Sequence, residues 1–332
     1  MSPLRSAPVV RSAIVAAAAL ALLLFVAGCG SSSGSSGSSA SPGASSSAAS
    51  VTIDGATITA DAGLNALLPS SIRDSGTLRV AGSLPYAPWE YWDPPDSKNI
   101  AGFDYDLSQA IGAKLGVKAP FIDTPFDSII LSVLGGKNDM VMADMYDNPD
   151  REKELTFVDY AWDGTSIIVP KGNPDGITGL DSLAGKVVTV LRGSTQEALL
   201  SKLNEQFKAA GKPQMSVLSL QGSPEGLLAI KGGKAVAQLT DHSQAAYTVS
   251  STEPGKDFQV VTDPNSPHGY EPSIVGIGIA KNNQQLVTAV QKALQSLIDE
   301  GSYQKIVDKY GLLGVDSAQI NQGNVPLSSP SP

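Results

Sequence analysis

From about Ser71 the chain alternates short apolar runs with stretches whose apolar residues recur every three to four positions. "GTLRVAGS" (Gly76–Ser83) predicts a short strand opened by a glycine. "DLSQAIGAKLGV" carries Leu107, Ile111 and Leu115 at helical spacing, and "FDSIILSVLGGK" predicts a helix ended by Gly135 and Gly136. "DMVMAD", "TSIIVPKG" and "GKVVTVLRG" read as buried strands, and "TQEALLSKLNEQFKAAGK" as a helix stopped at Gly211. Near the C-terminus two helices are expected, broken at Gly301, the first with a stripe of Leu286, Val290, Ala293, Leu297 and Ile298. Alternating strands and helices predict an α/β architecture with mostly parallel sheets.

The pattern also repeats. "LSVLGGKNDMVMAD" (Leu131–Asp144) aligns without gaps to "LAIKGGKAVAQLTD" (Leu228–Asp241), 97 positions on. Each copy reads as a helix ending at Gly-Gly, then a strand with an aspartate at its carboxyl end. Open α/β sheets bind ligands beyond the carboxyl ends of their strands. Asp144 and Asp241 are therefore expected to face each other across one cleft.

The N-terminus has another pattern. Arg5 and Arg11 precede the apolar run "AIVAAAALALLLFVAG", which closes on "VAGC" and reads as a signal peptide over residues 1–28. That close resembles a bacterial lipobox, which implies lipidation of Cys29, the chain's single cysteine. Gly30–Ser50 is rich in Ser and Gly and reads as a flexible tether of roughly 25 Å root-mean-square span. The expected location is extracytoplasmic, anchored to the membrane. A net charge of −9 over 332 residues argues against nucleic-acid binding, which needs clustered Lys and Arg. Two histidines and no cysteine in the body leave few soft metal ligands, and "DMYDNPDRE" lacks the spacing of a calcium loop. No metal or other cofactor is expected.

"GFDYDLSQAIGAKL" (Gly102–Leu115) resembles the signature of the family 3 extracellular solute-binding proteins, the polar-amino-acid receptors of ABC importers. Tyr105 departs from its usual aliphatic or threonine. The resemblance extends from about Leu78 to Leu312 through "LRVAGSLPYAPWEY", "DREKELTFVDY", "GKVVTVLRGSTQE" and "EGSYQKIVDKYG". It implies a two-lobed periplasmic-binding-protein type II fold, each lobe a mostly parallel sheet flanked by helices, joined by two crossover strands. Lobe 1 would comprise 71–166 plus 268–315, lobe 2 167–267, and 316–332 would be a disordered tail. It further implies a monomer that captures a small polar ligand by lobe closure and hands it to an ABC permease and ATPase.

The site residues follow residue by residue. Asn148 can cap a helix with Pro149 at its first position, placing Arg151 in the first turn. From the residues alone Arg151 grips an anion or pairs with an acid. The resemblance makes it the grip on a ligand α-carboxylate, whose two oxygens suit a guanidinium fork. At "RGSTQE", Ser194 or Thr195 caps a helix, with Glu197 completing a capping box if Ser194 is the cap. The family uses this junction on the same carboxylate, and Asp241 matches its acceptor for the α-ammonium. Tyr86 and Phe126 match aromatic positions around the ligand side chain, whereas Trp89, Tyr91 and Trp92 read as packing residues. Asp104 and Asp106 read as structural, with Asp106 capping a helix from Leu107, and His242 as pointing away. Three positions depart from the family: Asp144 stands where glycine or serine is common, Tyr146 where threonine or serine is common, and Ser83 where receptors for basic amino acids carry an acid. Asp144 then serves a cationic group on the ligand or Arg151 itself. No nucleophile motif or phosphate loop points to an enzyme; the alternatives are a cyclic-acid dehydratase on this fold, for which Asp144 would be the poised acid, and a sensing module without transport.

Overall fold

The computed structural model describes residues 50–53, 55–251 and 256–323. The proposed signal peptide, Cys29 and nearly all of the tether lie outside them. No helix among the described residues is long and apolar enough to cross a membrane.

In chain order the elements are β1 (Ser50–Ile53), β2 (Ala56–Thr59), α1 (Ala62–Asn65), α2 (Ser70–Ser75), β3 (Val80–Gly82), β4 (Tyr91–Trp92), β5 (Ile100–Ala101) and α3 (Phe103–Lys114). Then come β6 (Phe121–Asp123), α4 (Phe126–Leu134), β7 (Met140–Val141), β8 (Leu155–Pro170), β9 (Val187–Leu191), α5 (Thr195–Ala209), β10 (Ser216–Leu220) and α6 (Ser223–Lys231). The last are β11 (Ala237–Asp241), α7 (His242–Ser251), β12 (Phe258–Val260), β13 (Tyr270–Ala280), α8 (Gln284–Asp299), α9 (Ser302–Tyr310) and β14 (Leu313–Gly314).

The sheet is mixed, in the order β10-β9-β11-β8-β13-β7-β3-β6, with β12 and β14 added along β8. Parallel pairs build the heart of each lobe: β3 with β6 and β7 in one, β9 with β10 and β11 in the other. The long strands β8 and β13 run antiparallel to each other and join the two. β8 pairs with β13 from Leu155 to Thr165, then with β11 from Thr165 to Ile168, so one strand serves both lobes.

Helical periodicity explains the packing. Leu286, Val290, Ala293 and Leu297 of α8 are buried, with Leu107 and Ile111 of α3 and the rings of Trp89, Phe103 and Tyr160 in the same core. Leu199, Leu200, Leu203 and Phe207 of α5 close the second lobe over Val188, Val190 and Leu239. Gly102 precedes α3 with φ 125°, and a Cβ there would collide with the Trp89 carbonyl. The aromatic core therefore requires glycine where the "GFDYD" stretch begins.

Three sequence expectations change. Helix α3 starts at Phe103, so Asp106 lies inside its first turn; its carboxylate instead accepts from Lys309 Nζ and the Tyr310 hydroxyl, both at 2.8 Å. Arg151–Lys153 forms one 3₁₀ turn rather than an α-helix, too short for a helix dipole to matter. The expected tail is ordered through 323: Ala318 is buried, Ile320 bridges Val158, and Asn321 Oδ1 accepts from Phe157 N at 2.8 Å. The reason is the free edge of β8, whose peptide groups need partners. Residues 324–332 lie outside the described residues.

Candidate functional site

The 97-residue repeat is structural. α4 and α6 have bounds offset by that number at both ends, and Gly136 and Gly233 follow with φ of 70° and 67°. Lys137 N donates to Ser132 O at 2.9 Å, and Lys234 N to Ala229 O at 2.8 Å, again matched positions. Both helices start at one cavity: Phe126 and Ser223 line it. The strands that follow bring Asp144 and Asp241 to the same place.

That cavity, about 440 Å³, lies between the lobes. Ser83, Tyr86, Phe126, Asp144, Tyr146, Arg151, Ser194, Thr195 and Asp241 all line it, so the fold gathers all the candidate ligand residues.

At one end sits Arg151. The Asn148 side chain accepts from the N–H groups of Asp150 and Arg151 at 3.1 and 3.0 Å, which fixes the turn. The guanidinium lies over the Phe126 ring, 5.5 Å from its centroid, and donates to the carbonyls of Tyr146 (2.8 Å) and Gly193 (3.3 Å). Among the described residues no carboxylate lies within ion-pair distance of it. Burial lowers its pKa to about 10, while Asp241 and Asp144 pull it back up, so it stays charged at neutral pH. Opposite, Ser194 caps α5, its hydroxyl accepting from Glu197 N at 3.1 Å. Glu197 reaches back to Gly193 N at 2.7 Å, one residue before the partner a capping box would use.

The other end is acidic. Carboxylate oxygens of Asp144, Asp163 and Asp241 lie within 4.8 Å of one another, and all three residues are buried. Asp241 accepts from the Tyr86 hydroxyl and from Gln196 Nε2 (2.6 Å), a ring from one lobe and an amide from the other. Asp163, on β8, accepts from Gly164 N at 2.7 Å and from the Ser243 hydroxyl, and the Trp89 indole donates to that same Ser243 oxygen at 2.8 Å. Asp144 differs from both: among the described residues neither of its carboxylate oxygens has a donor. Its backbone, at φ 45°, is pinned by its N–H donating to Asp104 Oδ2 at 2.8 Å. Burial, then the charges of Asp241, Asp163, Asp104 and Glu90, hold the Asp144 carboxyl well above the usual range. Burial raises Asp163 to about 8 and Asp104 to about 7, and raises Asp241 against the bonds that favour its anion. Tyr86 and Tyr146 are pushed up by burial and then by the charge of Asp241.

The three oxygens also form a hard-ligand group of the kind that can hold a cation. Sequence reading missed it because Asp163 lies in the crossover strand, with no motif around it. Glu90, Gln196, Gln221 and Ser223 line the cavity unforeseen. The repeat contained one signal: Ser223 is the counterpart of Phe126. Trp89 is core, edge-on to Phe103 and Tyr160 at 5.5 and 6.3 Å, and Tyr91 packs on Tyr247. His242 turns away from the cavity to Ser166, 2.9 Å from its hydroxyl.

The profile of the bacterial extracellular solute-binding proteins, family 3, matches residues 78–313. The chain belongs to this family. It is 31% identical over 236 residues to the lysine/arginine/ornithine-binding periplasmic protein of Escherichia coli (strain K12), covering 70% of this chain and 87% of that relative. Among solved structures, an ancestral arginine-binding protein bound to arginine is 33% identical with a TM-score of 0.63, over 71% of this chain and 98% of the other. The ancestral amino acid-binding protein AncCDT-1, a precursor of cyclohexadienyl dehydratase, is 30% identical with a TM-score of 0.60, over 73% and 97%. These family 3 proteins share the α/β architecture of two lobes described above.

Proposed function

We propose that this solute-binding protein captures a cationic amino acid, or a related cationic or zwitterionic compound, between its lobes and delivers it to an ABC permease. A lipid on Cys29 would hold it at the outer face of the cell membrane. One observation carries the ligand reading: a single guanidinium shares one interlobe cavity with the carboxylates of Asp144 and Asp241, and Asp163 lies within 4.8 Å of both acids. Arg151 and the start of α5 take the α-carboxylate, Asp241 the α-ammonium, and Tyr86 and Phe126 pack beside the side chain. Asp144, whose oxygens lack donors, takes positive charge from the ligand rather than from Arg151. Buried charge without a partner is costly, so a cation gains most there. The names of the relatives, which refer to arginine, lysine and ornithine, agree with that charge preference.

A thermal-shift and calorimetric screen of the body against arginine, lysine, ornithine, histidine, glutamate and glutamine tests this. Arginine or another cationic amino acid is expected to raise the melting temperature most. Binding confined to acidic or uncharged amino acids would refute the reading.

A second reading, dehydration of a cyclic acid, is favoured by Asp144, a buried carboxyl that burial raises well above the usual range. Turnover of prephenate lost in Asp144→Asn would establish it; its absence alongside amino-acid binding leaves the receptor.

A further inference from the structure

The C-terminal strap, residues 317–323, does two different things. Along the edge of β8 it pairs as an added strand would. Asp159 N donates to the Gln319 carbonyl at 3.0 Å. Asn321 Oδ1 accepts from Phe157 N at 2.8 Å, and Asn321 N donates to Phe157 O at 3.3 Å. That much covers a free edge. The last two residues go further. Gln322 N donates to Asp159 Oδ2 at 3.1 Å, and Gly323 N leaves β8 altogether for Asp147 Oδ2 at 3.0 Å. A Cβ on Gly323 would stand 2.6 Å from the Asp147 carbonyl oxygen and 2.8 Å from Asn148 N. Glycine alone allows so close an approach to that peptide.

Asp147 does not line the ligand cavity, yet both of its chain neighbours hold Arg151. The Tyr146 carbonyl accepts from the Arg151 guanidinium at 2.8 Å, and the Asn148 side chain accepts from Arg151 N at 3.0 Å. A shift of the Asp147–Asn148 peptide therefore moves both supports of the arginine together. β13 holds the segment from one side, through Asp147 N donating to Ile274 O at 2.9 Å. The strap holds it from the other. Asp147 is fully buried, and among the described residues its Oδ1 has no donor. Burial, then the charges of Asp159 and Glu152, push its carboxyl up to about 8. Without the Gly323 N–H this crowded acid gains by turning to water, and the turn goes with it.

We propose that Gly323 and Asp147 are positioning residues for Arg151: the end of the strap, seated on the Asp147–Asn148 peptide, sets the turn from which the guanidinium meets its ligand. Neither residue touches the ligand. An edge cover alone would need only the pairing with β8. The proposal rests on the reading of Arg151 as the carboxylate grip only where ligand affinity is concerned.

The test uses the full chain with Gly323→Ala, which forces the strap end off the turn. Val290→Ala, in the α8 core, is the control for lost stability. Arg151 is read directly in the ligand-free protein by ¹⁵N NMR, its side-chain signals assigned by their loss in Arg151→Lys. Bonded to the Tyr146 carbonyl, its Nη–H groups are expected to give separate, slowly exchanging signals in the wild type and in Val290→Ala, and averaged ones in Gly323→Ala. By calorimetry Gly323→Ala is expected to weaken arginine binding about fivefold or more, and Val290→Ala to leave it within about twofold. Arg151 signals unchanged in Gly323→Ala, signals already averaged in the wild type, wild-type arginine affinity in Gly323→Ala, or an equal loss in Val290→Ala would each overturn the proposal. If the wild type binds no amino acid, the ligand reading falls, and the Arg151 signals still decide the strap.

Discussion

The balance of charge in the cavity turns on single side chains. Arg151 donates to two carbonyls and, among the described residues, meets no carboxylate at ion-pair distance, so its charge remains available to a ligand anion. Replacing it with alanine is expected to weaken arginine binding about tenfold or more by calorimetry, since hydrogen bonds to charged groups are worth ~1.5–3 kcal/mol. Asp241→Ala carries the same expectation for the opposite end of the ligand. Unchanged affinity in either variant removes that residue from the site. Asp144 gives the sharper contrast. Burial, then the charges of Asp241, Asp163, Asp104 and Glu90, raise its carboxyl well above the usual range, and a cation beside it would draw that back down. Asp144→Ser is expected to weaken a cationic amino acid several-fold and to leave the folded protein at least as stable. Tighter binding of glutamate in that variant would instead make Asp144 a restraint on Arg151.

At the scale of elements, the C-terminal strap carries a prediction of its own. Gln322 N donates to Asp159 Oδ2 at 3.1 Å and Gly323 N to Asp147 Oδ2 at 3.0 Å, both to buried carboxylates. A chain truncated after 316 leaves those acids and the edge of β8 without donors. It is expected to lose about 2–4 kcal/mol of stability, measured by urea unfolding. Equal stability would show the strap to be passive. The strap was illegible in the sequence because its partners are backbone groups and two acids far away in the chain, while its own composition is polar. The repeat, by contrast, was legible: Gly-Gly stops a helix by local geometry, and apolar periodicity sets what precedes and follows it. That is why Asp144 and Asp241 could be placed face to face. Arg151 was expected in the first turn of a helix begun by Pro149; it instead opens a single 3₁₀ turn, a distinction of hydrogen-bonding pattern that Asn148 and Pro149 do not determine. Asp163 joined the acids only because β8 crosses both lobes, a fact of topology rather than of pattern.

For the molecule as a whole, the buried acids tie stability to pH. In the unfolded chain the aspartates titrate near 3.8 and the glutamate near 4.5. In the fold, burial raises Asp104 to about 7 and Asp163 to about 8, and pushes Asp144 and Glu90 well up. Across that window the folded protein binds more protons than the unfolded one, so stability falls as pH rises. The stabilisation is full below the unfolded values, near pH 4, and is lost as pH climbs through 7 to 8. The melting temperature of the ligand-free protein is therefore expected to fall between pH 5 and about pH 8, the upper bound set by Asp163. A cationic ligand supplies from outside the positive charge that protons supply at low pH. It should flatten that slope, bind more tightly as pH rises and release protons on binding. Calorimetry of arginine binding in two buffers of different ionisation enthalpy measures the release, and Asp144→Asn should reduce it. A slope that is flat without ligand, or binding without proton release, would mean that the acids are already compensated within the fold and that the cavity has no call for a cation.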